Sequence, residues 1–314
     1  MDRLDLGPEE ALASLRMMKA VAAADGALSA EERALIDASA RTLGIEARTD
    51  DLAPAAPEEV VDALRDPRVR ERAVQATILV AMIDQQVREE ELRAVERFGA
   101  VLGIDEPRIA NLRQLARGQV RRMWLDLARR SFARPIFEEA LRARGLAGLW
   151  KIVGPMLGLG RDPDLARRYL DLGKLPEDTL GHAYFRFIVD HELGFPGEGV
   201  VAEEGVWHDL SHVLGGYGID PQGEVSVVSF IAGYRREDPF FWLFTIALQF
   251  HLGIKVSPYS PALRGHFDPE IVLTALGRGM AMNRDLSASW DYWDDLARPL
   301  GEVRARYAVP YTRG

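Results

Sequence analysis

The chain has 314 residues, 47% hydrophobic and 28% charged, the composition of a soluble protein long enough for two modest domains with their own cores. Thirty-nine Lys and Arg against 48 Asp and Glu leave a formal net charge of −9, which speaks against a surface built as a whole to hold nucleic acid. There is no cysteine, so disulfides, thiolate nucleophiles, iron–sulfur clusters and cysteine zinc sites are excluded, and any metal falls to the six histidines or to carboxylates. The acidic opening, Met1-Asp2-Arg3-Leu4-Asp5, has the look of neither a signal peptide nor an organelle transit peptide, and a cytoplasmic location is the expectation.

Helical periodicity dominates in chain order, and both halves are expected to be all-α. Leu12, Leu15, Met18, Val21 and Ala22 mark one apolar face. Ser29 and Glu32 then form a Ser-x-x-Glu capping box, in which each side chain satisfies the other's exposed backbone amide at the start of a helix. The segment Ala24-Asp25-Gly26-Ala27-Leu28-Ser29-Ala30-Glu31-Glu32 has a counterpart in Ile83-Asp84-Gln85-Gln86-Val87-Arg88-Glu89-Glu90-Glu91. In each, an Asp closes one helix and a Glu seven residues on lies in the first turn of the next. This doubled helix hairpin resembles the TerB-like, tellurite-resistance family over about residues 10–117, with Gln85 where that pattern has glycine. Capping and the helix dipole account for these acids without a ligand. A divalent-cation site built from Asp25, Glu32, Asp84 and Glu91 is the alternative.

The net charge is unevenly spread. Residues 1–112 carry 14 basic and 23 acidic side chains, residues 113–151 carry 10 and 3, and residues 152–314 carry 15 and 22. Two acidic segments are thus joined by a basic one, in which Arg121, Arg122, Arg129, Arg130 and Arg134 interleave with Met123, Trp124, Leu125, Leu127 and Phe132. Such a pattern predicts a basic amphipathic helix, either a solvated face with ion pairs to its acidic flanks or a contact for anionic lipid headgroups. Pro135 and the Gly145–Gly148 pair break it, giving expected domains at 1–117 and 151–314 with a connector at 118–150.

The C-terminal half holds the residues suited to chemistry. In Trp207-His208-Asp209-Leu210-Ser211-His212, the two histidines are four apart, so on a helix both imidazoles leave one face and can reach a single ion. Asp209 lies about 100° round the helix from His208, near enough for an edge ligand or a water-holding neighbour. After a turn at Gly215-Gly216-Tyr217-Gly218-Ile219-Asp220-Pro221, the next apolar helix brings Glu224 back toward the same ion. Two imidazoles with two carboxylates suit zinc, iron(II) or manganese. With one carboxylate outside the ligand set, they form a two-His, one-carboxylate arrangement with open positions.

The His-Asp-x-x-His pattern followed after eleven residues by Glu resembles the signature of the coenzyme Q (ubiquinone) biosynthesis protein Coq-four family, with His208, Asp209, His212 and Glu224 on the matching positions. Leu175-Pro176-Glu177-Asp178-Thr179-Leu180-Gly181-His182-Ala183-Tyr184 is similar to that family's Pro-x-x-Thr-Leu-Gly-x-x-Tyr block. Gly277-Arg278-Gly279, Trp290 and Leu300-Gly301-Glu302-Val303-Arg304 are similar to its closing helices. The resemblance covers about residues 150–310. It implies an all-helical, peripheral membrane protein holding a divalent metal, usually zinc, and a polyprenylated aromatic quinone precursor. It also implies ring decarboxylation and hydroxylation, or a scaffold role among other quinone-biosynthesis proteins. The family's usual member has no fused TerB-like half.

The expectation is therefore two helical domains, with His208, His212 and Glu224 as metal ligands and Asp209 as fourth ligand or general base, Asp209 and Glu224 being the catalytic candidates. Zinc comes first, with iron or manganese as alternatives. The expected partners are a polyprenylated quinone precursor, an anionic membrane surface through residues 113–151 and other quinone-biosynthesis proteins, with no nucleic acid. The apolar run at 240–248 is expected either in a helix core or as the wall of an isoprenoid channel. Its neighbour His251 is expected as a core histidine with a backbone partner or as a donor to a ring oxygen. His182 and His191 read as satisfied polar positions, and His266 as loop. Two other functions fit the residues: a His-Asp type metal-dependent phosphohydrolase, with His182 or His191 supplying an upstream ligand, and a non-catalytic, membrane-associated lipid-binding adaptor.

Overall fold

The computed structural model describes residues 6–130, 141, 142, 145, 161–198, 203–257 and 260–311. Among them the chain is all-α, with fourteen α-helices and no strand, only two isolated bridges. In chain order the helices are α1 (Pro8–Ala22), α2 (Ala30–Thr42), α3 (Pro67–Ile83), α4 (Glu89–Leu102), α5 (Pro107–Ala116), α6 (Val120–Arg130) and α7 (Pro163–Leu170). They continue as α8 (Leu180–Asp190), α9 (Val206–Gly215), α10 (Pro221–Tyr234), α11 (Pro239–Ile246), α12 (Pro269–Met280), α13 (Leu286–Ser289) and α14 (Leu300–Arg306). The greater part of the expected connector, with Phe132, Arg134, Pro135 and Gly148, lies outside the described residues.

The helices fall into two compact units that do not follow chain order. One combines Asp2–Asp126 with Asp238–Gly277, and the other combines Leu127–Glu237 with Arg278–Gly314.

The first unit is organised by the sequence repeat. Helix α1 packs on α2, α3 and α4 and buries Leu15, Met18, Val21 and Ala22, as its periodicity requires. Leu12 departs from that expectation and is 40% exposed: the buried stripe runs through Ala11, Leu15, Met18 and Ala22, and Leu12 sits at its edge. The Ser29 hydroxyl accepts the Glu32 N–H at 3.1 Å while Glu32 Oε2 accepts the Ser29 N–H at 2.7 Å, the predicted capping box. The second copy repeats half of it, with Glu91 Oε2 accepting the Arg88 N–H at 3.1 Å.

Asp25 and Asp84 likewise each accept the N–H two residues on, from Ala27 and Gln86, both at 2.9 Å. Gly26 turns at φ +88° and Gln85 fills the same role at φ +66°. The repeat thus keeps its turn without the second glycine, at the steric cost a β-carbon carries in the left-handed region. Of the alternatives for these acids, capping is realised, and a cation occupies the centre already: Arg88 bridges Asp25 (Nε to Oδ2, 3.1 Å) and Asp84. The four carboxylates do not gather as a metal-ligand group.

Helix α11 and the π-helical turn Ala247–His251 that extends it complete this same unit. Phe240, Leu243, Phe244, Ile246, Leu248 and Phe250 are buried, so the run at 240–248 is a helix core. His251 is a core histidine: Nε2 donates to the Ile83 carbonyl at 2.6 Å and Nδ1 accepts the Phe267 N–H. Both ring nitrogens are satisfied, which is how a buried imidazole is tolerated.

In the second unit, the two sequence blocks that flank the His-rich stretch meet. Leu180 and Gly181 donate their N–H groups to the Arg298 and Leu296 carbonyls at 2.9 and 2.8 Å, and Leu300 returns one to Asp178 at 2.7 Å. Gly181 permits this approach, since a β-carbon there would lie 2.8 Å from the Leu296 oxygen. The buried Asp295 anchors the far end, accepting from Trp290 Nε1 at 2.9 Å, from the Tyr307 hydroxyl at 2.5 Å and from Arg306 at 2.7 Å.

Candidate metal centre

Helix α9 carries both histidines, and its end is held from outside. Gly216 turns the chain in the left-handed region at φ +72°, and two arginines of the closing helices reach the last carbonyls of α9. Arg304 donates to Val213 and Leu214 at 2.8 and 3.0 Å, and Arg278 donates to Gly215 at 2.8 Å and to the Tyr217 hydroxyl at 2.7 Å. Cations at this end also complement the helix dipole. In mid-helix, the Ser211 hydroxyl bonds the Trp207 carbonyl and the Tyr234 hydroxyl, tying α9 to α10.

Helix α10 begins at Pro221, two residues before the expected start at Gly223. Asp220 caps it by accepting the Gln222 and Gly223 N–H groups at 2.9 and 3.0 Å, and Glu224 falls in its first turn. The turn that delivers Glu224 is so tight that a β-carbon at Gly223 would lie 2.0 Å from the Gly218 oxygen.

These constraints bring His208, His212 and Glu224 together, each offering a ligand atom within 4.8 Å of the others. The His208 and His212 rings lie 5.0 Å apart at 74°, and His212 Nε2 stands 3.5 Å from Glu224 Oε1. Phe187 of α8 stacks on the His212 ring at 5.3 Å and fixes its plane. His212 is buried and its Nδ1 has no hydrogen-bond partner. Asp209 stands apart from the group of three and faces His208 instead, Oδ1 lying 3.6 Å from Nδ1. Of the four residues expected from spacing, three converge and the fourth supports one of them.

The electrostatics follow from this packing. Burial disfavours a charged His208, but the Asp209 carboxylate beside it and Glu224 beyond outweigh that and raise its pKa. Burial likewise pushes Glu224 up, and the His212 contact with the two imidazoles outweighs it, so Glu224 ends below its ordinary value. Two imidazoles and an ionised carboxylate are a donor set suited to zinc, iron(II) or manganese, and His212 Nε2 is the nitrogen that faces Glu224.

The other histidines do not join the group. His182 Nδ1 meets the Leu175 carbonyl at 3.0 Å and His191 Nδ1 the Phe187 carbonyl at 2.8 Å, each a local helix-terminal contact. A phosphohydrolase of the His-Asp type needs one of these as an upstream ligand and Asp209 in the set, and neither condition is met among the described residues.

Sequence reasoning missed Arg278 and Arg304 as supports of α9, and it missed Tyr184, whose hydroxyl is buried without a hydrogen-bond partner. A basic residue near a C-terminal helix is too common a signal to single out either arginine in advance.

The family model of the tellurite resistance protein TerB matches residues 1–55, which span α1, α2 and the first Asp-to-Glu turn. The N-terminal segment is TerB-like. The second hairpin, α3 to α4, repeats that geometry beyond the match. No curated protein matches the chain.

Proposed function

We propose that the second unit is a divalent-metal centre of the Coq-four type that binds a polyprenylated quinone precursor, for ring decarboxylation and hydroxylation or as a scaffold. The observation that carries this reading is the convergence of His208, His212 and Glu224, each offering a ligand atom within 4.8 Å of the others, with His212 Nε2 facing Glu224. The lipid part of the reading rests on the resemblance of residues 150–310 to that family.

His208, His212 and Glu224 would hold the ion. When bound, zinc supplies Lewis acidity, and iron or manganese supplies open positions for oxygen. Asp209 fixes the His208 ring through its Nδ1 side and is the carboxylate that takes a proton from a bound ligand's hydroxyl. Phe187 holds the His212 ring by stacking on it.

An anionic membrane surface is the proposed partner of α6. Trp124 and Leu125 are 47% and 50% exposed, and exposed Arg121, Arg122 and Arg129 surround them, while Met123 and Leu127 face inward. Residues 121, 125 and 129 recur at helical spacing on one face. Each arginine near anionic headgroups contributes about 1 kcal/mol. Arg113 and Arg117, by contrast, pair with Glu96 and Glu89 at 2.7 and 3.8 Å and are intramolecular. Among the described residues, no helix is long and apolar enough to cross a membrane.

The test is elemental analysis of the purified chain and of its His208→Ala, His212→Ala double variant, with mass spectrometry of the organic extract. About one divalent ion per chain is expected in the wild type and none in the double variant, with a prenylated aromatic compound in the extract. Full metal content in the double variant overturns the centre.

A further inference from the structure

In the second unit, the buried tyrosine hydroxyls are bonded, with one exception. Tyr169 donates to Glu203 at 3.0 Å and meets the Tyr292 hydroxyl at 2.8 Å. Tyr234 pairs with Ser211 at 3.0 Å, Tyr307 donates to Asp295, and Tyr217 accepts from Arg278. Tyr184 is fully buried and its hydroxyl has no partner. A buried hydroxyl left unbonded costs about 1–3 kcal/mol, so its persistence calls for a use.

Its surroundings indicate which use. The unit's unpartnered buried side-chain atoms, among the described residues, lie on Tyr184, His212 and Gln222, that is, on α8, α9 and α10, the three helices that build the metal centre. Tyr184 and Phe187 are one helical turn apart on α8, and Phe187 stacks on His212. Tyr169 and Phe195 hold the Tyr184 ring, at centroid distances of 6.0 and 6.5 Å. Burial first, and then the Asp209 carboxylate and Tyr292, push the phenol above its ordinary range, so it keeps its proton and acts as a donor.

We infer that Tyr184 is a ligand-binding residue whose hydroxyl donates a hydrogen bond to a ring oxygen or ring carboxylate of an aromatic ligand at the His208, His212 and Glu224 centre. The inference rests on the proposed metal centre and on its proposed aromatic quinone-precursor ligand. It adds a specificity element: a buried donor waiting for an acceptor discriminates against a ligand that lacks one.

The test uses full-length wild type and Tyr184→Phe, with cobalt(II) as the metal probe and 4-hydroxybenzoate as the ligand probe, followed by calorimetry and by the cobalt absorption bands. Tyr184→Phe is expected to take up cobalt like the wild type, to melt at the same temperature or higher, and to bind 4-hydroxybenzoate about tenfold more weakly or worse. Tyr234→Phe, which removes a bonded hydroxyl, is the control and is expected to melt lower. Equal affinity of wild type and Tyr184→Phe for the probe overturns the inference, as does a lowered melting temperature of Tyr184→Phe with unchanged binding, or an unfolded variant. A wild type that takes up no cobalt defeats the metal centre instead. Calorimetry of the same probe on the cobalt-free pair then decides Tyr184, and a wild type that binds no probe in either form counts against it.

Discussion

Glu91 shows how much a single buried side chain can couple stability to pH. It has no exposed surface; one oxygen accepts the Arg88 N–H, and the other lies 3.8 Å from the Arg88 guanidinium without a hydrogen bond. Burial, opposed by that N–H and reinforced by neighbouring Glu32, pushes its carboxyl up to about 9. The folded chain therefore keeps a proton that the unfolded chain has lost above about 4.5, so this contribution is full below 4.5 and declines as pH rises toward 9. Glu91→Gln, which preserves the cap and cannot ionise, should flatten that decline. The check is the urea midpoint from pH 5 to 9 for both proteins: the wild type should fall more steeply, by up to about 1.4 kcal/mol per pH unit, and parallel curves would refute the assignment. The metal candidates at this scale were legible because His208 and His212 are four apart, a spacing that on a helix admits one geometry. Tyr184 was not legible as a donor, because an unpartnered hydroxyl is defined by the absence of neighbours, which only packing decides.

At the scale of the element, helix starts were the most readable features. Ser29 with Glu32, and Asp220 before Pro221, are local devices whose partners lie within three residues; the first forms as expected, and the second follows the same rule. Helix ends depend on distant residues: α9 is held by Arg278 and Arg304, some 63 and 90 positions further along the chain. Helix α6 is the element whose proposed role is most directly testable. Replacing exposed Trp124 and Leu125 by serine should leave the fold within about 0.5 kcal/mol of the wild type. In liposome sedimentation, the wild type should pellet with anionic vesicles in a salt-sensitive way and the double variant should stay in solution. Binding indifferent to vesicle charge and salt would defeat the membrane assignment.

For the whole molecule, the decisive feature is that Asp238–Gly277 belongs to the unit of the N-terminal helices. The TerB-like match ends at residue 55, yet the same unit takes in residues from far along the chain, with His251 on the Ile83 carbonyl of α3 and the Phe240 ring under Arg108 of α5. His251→Phe keeps the ring volume but leaves the Ile83 carbonyl and the Phe267 N–H without their partner. The expected cost is about 1–3 kcal/mol, confined to that unit. Amide exchange should report faster opening at the end of α3, with the metal content of the second unit unchanged. Unaltered protection at Ile83 and its neighbours would show that the contact contributes nothing.

By itself, the sequence determined the helical class, the repeated Asp-to-Glu hairpin, the capped helix starts and the His208, His212 and Glu224 set. Each of these depends on residues close in the chain or on spacing along one helix. The tertiary structure alone decided that Leu12 lies outside the buried stripe, that Asp209 faces His208 from outside the group of His208, His212 and Glu224, and that the run at 240–248 is core in the first unit. Periodicity states that a face is buried but not against what, because burial rewards removal of apolar area from water without regard to the partner that covers it.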